Sequence, residues 1–288
     1  MSAASKGGYY LPEPSYWPLV GSVGLFLTLG GFAHFLHDGS PLFMVAGFLI
    51  MLVMLFGWFG TVIRESLSGK YNNQVDMSFR LGMGWFIFSE VMFFAAFFGA
   101  LFYARMFSVP WLGGAGNNDM TGALLWPGFD AAWPTNGPAD VGGPFEAMGA
   151  WGIPAINTLI LLSSGVTVTL AHWALKKSQR GALVGWLAAT VALGALFLSL
   201  QIYEYGHAYS ELNLTLGSGI YGTTFFMLTG FHGLHVTLGA IMLLVILLRS
   251  MKGHFTAEHH FGFEAVAWYW HFVDVVWLGL FVFVYWLV

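Results

Sequence analysis

Among the ionisable residues inside long apolar stretches of the sequence, five are the first candidates for chemistry. They are Glu90, His232, His235, His271 and Asp274. Ionisable groups are expensive to keep in apolar surroundings, so they are usually paired or functional there. Carboxyl and imidazole groups transfer protons and bind ligands. The five residues therefore predict a proton relay or a ligand contact.

Glu90 is the clearest of these candidates. It lies ten residues after Arg80, which is about 15 Å along a helix at 1.5 Å per residue. The surrounding run, 86–94, is rich in Phe, so we expect the carboxyl to carry a proton at neutral pH. Two roles stay open, a proton relay or ligand contact, and a protonated acid bonded to a neighbouring helix. His232 or His235 is the expected hydrogen-bond partner.

The two histidines His232 and His235 are three residues apart, which places both on one face of a helix. They could bind a metal, or each could ligate a different haem. They cannot both ligate one haem, because its two axial ligands approach from opposite faces of the ring. The alternative is a pair of histidines that bond neighbouring helices. We predict no metal site in this chain.

Three acidic residues mark the later apolar segments. Asp274 follows His271 by three residues, so the two can form a local pair, or Asp274 can bond a neighbouring helix. Glu264 opens the last segment, where the helix dipole favours a carboxylate and a structural role is expected. Glu204 lies near the outer end of its segment, and we expect it at the membrane interface.

The elements that hold these residues are apolar segments long enough to cross a bilayer. Of the 288 residues, 57% are hydrophobic and 8% are charged, against about 25% charged in an average soluble domain. A transmembrane helix needs roughly 20 residues, and a backbone without water to bond must be helical. The prediction is an all-α, polytopic membrane protein with seven transmembrane helices. They lie at about 17–36, 41–63, 79–107, 150–175, 182–206, 217–249 and 263–287.

Charge and composition exclude several functional classes. Ten Lys+Arg against 14 Asp+Glu give a net charge of −4, which argues against nucleic-acid binding. The absence of cysteine excludes disulfides, iron–sulfur clusters, zinc-thiolate sites and Cys-ligated copper. The spans lack an interior lysine for a retinal Schiff base, and the sequence has no Walker, HExxH or Ser–His–Asp pattern. We expect no catalytic centre in this chain alone.

The basic residues predict the orientation in the membrane. Arg105 falls on one side, while the other nine Lys and Arg residues fall on the opposite side, which the positive-inside rule makes cytoplasm or mitochondrial matrix. The N-terminus is then on the inner side. Ala- and Gly-rich spans favour a bacterial inner (plasma) membrane, with the mitochondrial inner membrane as the alternative. The nine inner residues are Lys6, Arg64, Lys70, Arg80, Lys176, Lys177, Arg180, Arg249 and Lys252.

Five residues near the inner ends of the spans are candidates for lipid binding. They lie where lipid phosphates sit, and flanking Trp and Phe residues are typical of contacts with anionic headgroups. The alternative is an ordinary orientation signal without a specific lipid. The five are Arg64, Arg80, Arg249, Lys252 and His254.

The longest connection, about 108–149, is the main extramembrane region. It is rich in Gly, Pro, Asn and Trp, which predicts an ordered outer loop without secondary structure of its own. Its acidic residues could attract a basic partner, or the loop is simply solvated.

Eight stretches of the sequence together carry a resemblance to a known family. They are Pro14–Leu19, Val62–Ser66, Phe88–Phe94, Asn157–Gly165, Tyr221–Phe226, Thr229–Val236, His259–Ala265 and Trp268–Trp277. With these stretches the chain resembles subunit III of cytochrome c oxidase, the haem-copper terminal oxidase. The resemblance covers essentially the whole chain, and no single motif has to carry it. The outer loop, which looks longer than in the shortest relatives, is the main departure.

The resemblance implies a two-part architecture and a supporting role. Helices one and two, in 1–70, and helices three to seven, in 71–288, would flank a lipid-filled cleft. The subunit would carry no cofactor, with haem a, haem a3 and copper held by partner subunits. It would contact subunits I and II and bind phospholipids. It would also support proton uptake and the stability of the catalytic subunit I. The complex moves electrons from cytochrome c to oxygen and pumps protons.

Three rival functions come from other classes. A quinol-oxidase homologue of this subunit usually has five spans, so the two extra N-terminal spans favour the cytochrome c type. A transporter or channel needs a polar pathway, for which the chain offers Glu90, His232, His235 and Asp274. A seven-span photoprotein would need the retinal lysine. Copurification with haem-bearing subunits discriminates among these functions.

Overall fold

A computed structural model of the chain describes residues 10–11, 13–37 and 39–288, and Lys6 lies outside these residues. Within them, seven helices are long and apolar enough to cross a membrane, which confirms the predicted all-α, seven-span fold. The third span continues past its α-helix through a π-helical turn to residue 112, and the last continues through a π-helical turn to residue 286. The α-helices are α1 (Trp17–Phe35), α2 (Leu42–Leu67), α3 (Asn73–Tyr103), α4 (Val109–Leu112), α5 (Ile153–Lys176), α6 (Arg180–Ser210), α7 (Gly219–Met251) and α8 (Phe261–Leu280).

The chain divides into two compact units, one through Leu81 and one from Gly82 onward. In the first unit, α1 and α2 form a hairpin with close backbone contact at two glycines. A Cβ atom on Gly31 would overlap the backbone of Met44, and one on Gly47 would overlap the backbone at residue 28. Small residues at such positions let apolar helices approach closely, which supplies the packing contacts that hold helices together in lipid.

The second unit is built around α8. The fully buried side chains of Trp270 and Trp277 lie at its centre, and the Trp270 indole N–H donates to Ser164 Oγ on α5 at 2.8 Å. The ring of Trp270 fits against Gly194 on α6 and Gly239 on α7, where a Cβ atom would lie within 3.0 Å of it. Because the indole N–H has a partner, the large side chain can be buried without an unsatisfied donor.

Local sequence sets where the helices begin. Asn72 Oδ1 accepts the backbone N–H of Val75 at 3.0 Å and so caps the first turn of α3. Before α5, Gly152 has φ 138°, a conformation that side chains rarely adopt, and Pro154 follows in the first turn. These signals fix the first turns of α3 and α5.

The long connection at about 108–149, predicted as an outer loop, differs from its prediction because it has secondary structure of its own. It contains α4 and a π-helical turn, Thr121–Leu125. The C-terminal part of this connection forms hydrogen bonds with the connection between α6 and α7. The backbone N–H of Glu146 donates to the Leu212 carbonyl at 2.9 Å, and the amide of Asn213 donates to the Pro144 carbonyl at 2.8 Å. Glycine and proline content indicated a loop, but these tertiary bonds are what order it.

Candidate functional site

The structure brings Glu90 and His235 together between α3 and α7. Glu90 Oε2 and His235 Nε2 are 2.8 Å apart, so His235 is the expected partner of the acid. The other ring nitrogen, Nδ1, lies 2.7 Å from the carbonyl oxygen of Phe231. A carbonyl only accepts, so Nδ1 carries a proton, and in a neutral ring Nε2 then has a lone pair.

This arrangement fixes the number of protons in the pair. A carboxylate and a lone pair are both acceptors, so a 2.8 Å contact between them requires one further proton. Glu90 can hold it as a carboxylic acid, or His235 can hold it as an imidazolium beside a carboxylate. Both forms are neutral overall, so the shared proton can move between the two side chains without leaving a net charge among the helices. Taking up a second proton or giving up the shared one changes the charge of the pair by one.

Aromatic rings surround the pair on the α7 side. The ring centroid of Phe94 is 4.9 Å from that of His235, and Tyr269 stacks on the imidazole at 6.4 Å. Phe86 and Phe88, from the same run as Glu90, are about half exposed, and Phe86 also stacks on Tyr269 with ring centroids 6.2 Å apart. The apolar wall of the site is therefore made by α3, α7 and α8 together, and the neighbours of Glu90 in sequence make only part of it.

His232 does not join this pair. It is fully buried, and its Nε2–H donates to the carbonyl oxygen of Val273 on α8 at 3.1 Å. Its ring packs against Phe197 and Trp277, with centroids 5.7 and 5.2 Å away. Although His232 and His235 share a helix face, they bond different neighbours, and in residues 10–11, 13–37 and 39–288 they form no common ligand set.

His271 and Asp274 form the expected local pair, with His271 Nδ1 3.6 Å from Asp274 Oδ2. The other ring nitrogen of His271 is 3.3 Å from the hydroxyl of Thr169 on α5. Gly165 leaves the space that Asp274 occupies. The pair lies in an open, mostly apolar groove of about 400 Å³ between α5 and α8.

The two predicted lipid-binding arginines of the first unit differ in how far their charge is available for contact with lipid. Arg64 is exposed at the end of α2, and its guanidinium donates to Thr61 Oγ1 at 3.1 Å. Arg80 makes an ion pair with Asp76, with Nε and Oδ2 2.7 Å apart. The charge of Arg80 is therefore partly compensated within its own helix, while that of Arg64 is available to solvent or lipid.

The second unit holds the other three predicted lipid-binding residues. The guanidinium of Arg249 lies 4.4 Å from the ring centroid of Phe255, a cation–π contact, and Lys252 is exposed. Burial lowers the pKa of His254, and the charges of Arg249 and Lys252 lower that pKa further. His254 is therefore neutral at pH 7 and can offer a hydrogen bond, but no charge, to a phosphate.

Glu204, which was expected at the membrane interface, lies inside the helix bundle near the end of α6. The side chain is fully buried, and Glu204 Oε1 accepts the hydroxyl of Tyr285 at 2.6 Å and the amide of Gln201 at 3.5 Å. The buried face of α6 includes Phe197, Gln201, Glu204 and Ala208. That spacing of three and four residues was the signal in the sequence, because it puts Glu204 on the core face of the helix.

A third cluster was not predicted at all. Glu264 Oε1 lies 3.1 Å from His260 Nε2 and 3.4 Å from His172 Nε2. Glu264 does stand in the first turn of α8, as expected, but its carboxylate also faces α5. The i,i+4 spacing of His260 and Glu264 was visible in the sequence, whereas the approach of His172 from another helix was not.

Comparisons with known proteins agree with the fold and with the motifs. A sequence model of the family described as Cytochrome c oxidase subunit III matches residues 7–119 and 120–288. Cytochrome c oxidase subunit 3 of Cyprinus carpio is 42% identical over 281 residues, which cover 96% of each chain. The proteins of that name from Petromyzon marinus and Latimeria chalumnae are 42% and 43% identical over 280 residues, with the same coverage. Since the matches span nearly all of both sequences, the chain belongs to the cytochrome c oxidase subunit III family.

Proposed function

We propose that the chain supports proton supply to the catalytic subunit I of the oxidase and holds no redox centre itself. Membership of the family makes it part of an oxidoreductase complex. The observation that carries the proposal is the Glu90–His235 contact, a proton-holding pair among apolar helices. Removal of the subunit from the assembled complex is the test.

The residue inventory supports a non-redox role. Without cysteine, the chain lacks the thiolates that hold iron–sulfur clusters and blue-copper centres. His232 and His235 bond different neighbours, so they do not provide the opposed pair that a haem needs. We propose that haem a, haem a3 and copper are bound by partner subunits I and II, which take electrons from cytochrome c to oxygen and pump protons.

A protein wall beside a proton entrance can change how fast protons arrive. The fixed charges on such a wall set the local potential and so the local proton concentration. In this proposal the chain contacts subunit I, and its buried acid–imidazole pair buffers or relays protons within the membrane. The same contact stabilises subunit I during turnover.

The proposed topology has the N-terminus and the connections after α2, α5 and α7 on the inner side. Reporter fusions after Lys70, Asn118 and Ser178 should report inside, outside and inside, because nine of the ten Lys and Arg residues then lie on the inner side. Enzymatic reporters that are active on only one side of the membrane make the measurement. One fusion reporting the opposite side would refute the seven-span topology.

Two membranes fit this topology. The Ala- and Gly-rich spans favour a bacterial plasma membrane, with the inner side facing the cytoplasm. The relatives come from vertebrates, which keep the respiratory chain in mitochondria, and so favour the mitochondrial inner membrane with the inner side facing the matrix. Fractionation of the source cells, with immunodetection of the chain, separates the two.

We propose that Arg64 in the first unit and Arg249, with Lys252, in the second bind anionic phospholipid headgroups. Arg64 is exposed at the end of its helix, as expected for such a contact, while Arg80 and the neutral His254 contribute less charge. Each cation contributes about 1 kcal/mol to binding an anionic lipid. The Arg64→Ala/Arg249→Ala complex should therefore retain less phospholipid after purification, as measured by lipid mass spectrometry.

The matched control for this prediction is Arg105→Ala, which removes a cation at the outer end of a span. Its lipid content should equal that of the wild type. If the double variant also retains all its phospholipid, the inner arginines act only as orientation signals.

A further inference from the structure

The cluster of His172, His260 and Glu264 joins the inner end of α5 to the beginning of α8. His172 stands one turn before the end of α5, and His260 immediately precedes α8. One ligand atom from each of the three side chains lies within 4.8 Å of the other two. All three side chains are largely buried, with exposed fractions of 21%, 7% and 11%.

The hydrogen bonds at the cluster leave a lone pair of His260 facing the carboxylate of Glu264. His260 Nδ1 lies 3.1 Å from the carbonyl oxygen of Thr256, so Nδ1 carries the proton and Nε2 has the lone pair. Nε2 nevertheless faces the carboxylate oxygen of Glu264 at 3.1 Å. In the part of the chain that the structure describes, the buried His172 Nε2 makes no hydrogen bond, although the same oxygen is 3.4 Å away. A lone pair that faces a carboxylate in this way requires a proton or a metal ion between the two atoms.

We propose that His172, His260 and Glu264 bind a divalent metal ion of the zinc class. Two imidazole nitrogens and one carboxylate oxygen are a set that Zn²⁺ binds at about 2.0–2.2 Å. Tetrahedral ligands at that range are about 3.3–3.5 Å from one another. The nitrogen–oxygen distances of 3.1 and 3.4 Å are near this spacing, and the two imidazole nitrogens lie within 4.8 Å of each other. Three protein ligands leave a fourth position for water.

The surroundings hold the ligands in place. The Thr256 carbonyl fixes the ring of His260, as outer-shell acceptors do for metal-binding histidines. The rings of His260 and Phe263 pack against His172, with centroids 5.3 and 5.4 Å away. A bound ion would therefore need little rearrangement, and it would tie α5 to α8 and to the α7–α8 connection. This site departs from the sequence-based expectation that the chain binds no metal.

The test is metal binding by the purified oxidase complex. The complex is treated with a chelator and titrated with Zn²⁺, and bound zinc per complex is counted by elemental mass spectrometry. We expect the His172→Asn/His260→Asn variant to bind one zinc fewer than the wild type. Glu264→Gln should weaken that site by more than the ~10-fold that loss of an outer-shell partner costs.

The matched control is His259→Asn, which replaces the exposed histidine next to the site. It should bind as much zinc as the wild type. Equal zinc in the double variant and the control would overturn the proposal, as would a wild type that takes up no zinc, because a shared proton would then fill the cluster.

A second measurement tests the metal site in the wild-type complex and is used if the double variant fails to assemble. Zinc-edge X-ray absorption of the wild-type complex loaded with one equivalent should show two imidazoles and oxygen ligands. Zinc without imidazole ligands would refute the site. Neither measurement depends on oxidase activity, so the proposed role in proton supply can fail while the metal site stands.

Discussion

The oxidase complex stripped of this subunit should keep its haem and copper but lose activity during sustained turnover. In the proposed role, protons depend on the chain and electrons bypass it. The chain has no cysteine, and among the described residues His232 and His235 bond different neighbours. Initial oxygen reduction should therefore be near normal. Activity should then decay over many turnovers, as subunit I works with slower proton supply.

The loss should be steepest at high pH. Bulk protons are scarce there, so the contribution of local fields and buffering groups to proton arrival is largest. We expect about a tenfold slower proton-limited rate near pH 9, at the lower end of the ~10–10³ range by which fields change arrival rates. Oxygen consumption followed over many turnovers from about pH 6 to 9 is the measurement.

Two results would count against this proposal. Loss of a haem or a copper on removal of the subunit would mean that this chain holds a redox ligand. Full and lasting activity at every pH would reduce the chain to a lipid-bearing spacer. Complex with the purified subunit added back is the control, and it should recover lasting activity.

Breaking the Glu90–His235 pair should destabilise the subunit to a different degree depending on which partner is changed. In Glu90→Gln, the amide N–H can still donate to His235 Nε2, so the stability of the subunit should change little. In His235→Leu, the buried carboxylic acid loses its acceptor. An unsatisfied buried polar group costs about 1–3 kcal/mol, which should lower the temperature at which the subunit unfolds in the complex.

His232→Leu is the control for this asymmetry. This variant also removes a buried histidine from the same helix face. The bond that it removes is a neutral one to the Val273 carbonyl, and no carboxylic acid loses its partner. The double variant Glu90→Leu/His235→Leu should recover part of the loss, because neither partner is then left unpaired. Equal destabilisation by Glu90→Gln and His235→Leu would contradict a proton-sharing pair.

Infrared spectroscopy locates the shared proton. Of the two neutral forms, the carboxylic acid beside a neutral imidazole avoids separated charges in apolar surroundings and should dominate. A protonated carboxyl band should therefore be present at pH 7 and vanish in Glu90→Gln. An ionised Glu90 band at that pH would place the proton on His235.

The sequence by itself determined the membrane fold and the buried acid. Seven apolar segments fixed seven helices, because the backbone in lipid has no other way to satisfy its polar groups. The i,i+3 spacing of His271 and Asp274 fixed their local pairing, since that spacing places side chains on one helix face. A carboxyl group at Glu90 in an apolar run likewise predicted a partner from another helix.

Tertiary structure decided which atoms meet. From the sequence, the two histidines on one face of α7 were equivalent candidates for the partner of Glu90. The packing of α3 and α8 against α7 decides that His235 contacts Glu90 and that His232 bonds the Val273 carbonyl. Hydropathy also placed Glu204 near the end of a span, yet the end of the last span covers it with Tyr285.

The same limit explains the candidate metal site. His260 and Glu264 are one turn apart and can be paired from spacing alone, but His172 joins them only because α5 packs against α8. Periodicity reports which face of a helix is buried. It carries no information about the axial register or the neighbour that each face meets, and contacts between residues far apart in sequence depend on both.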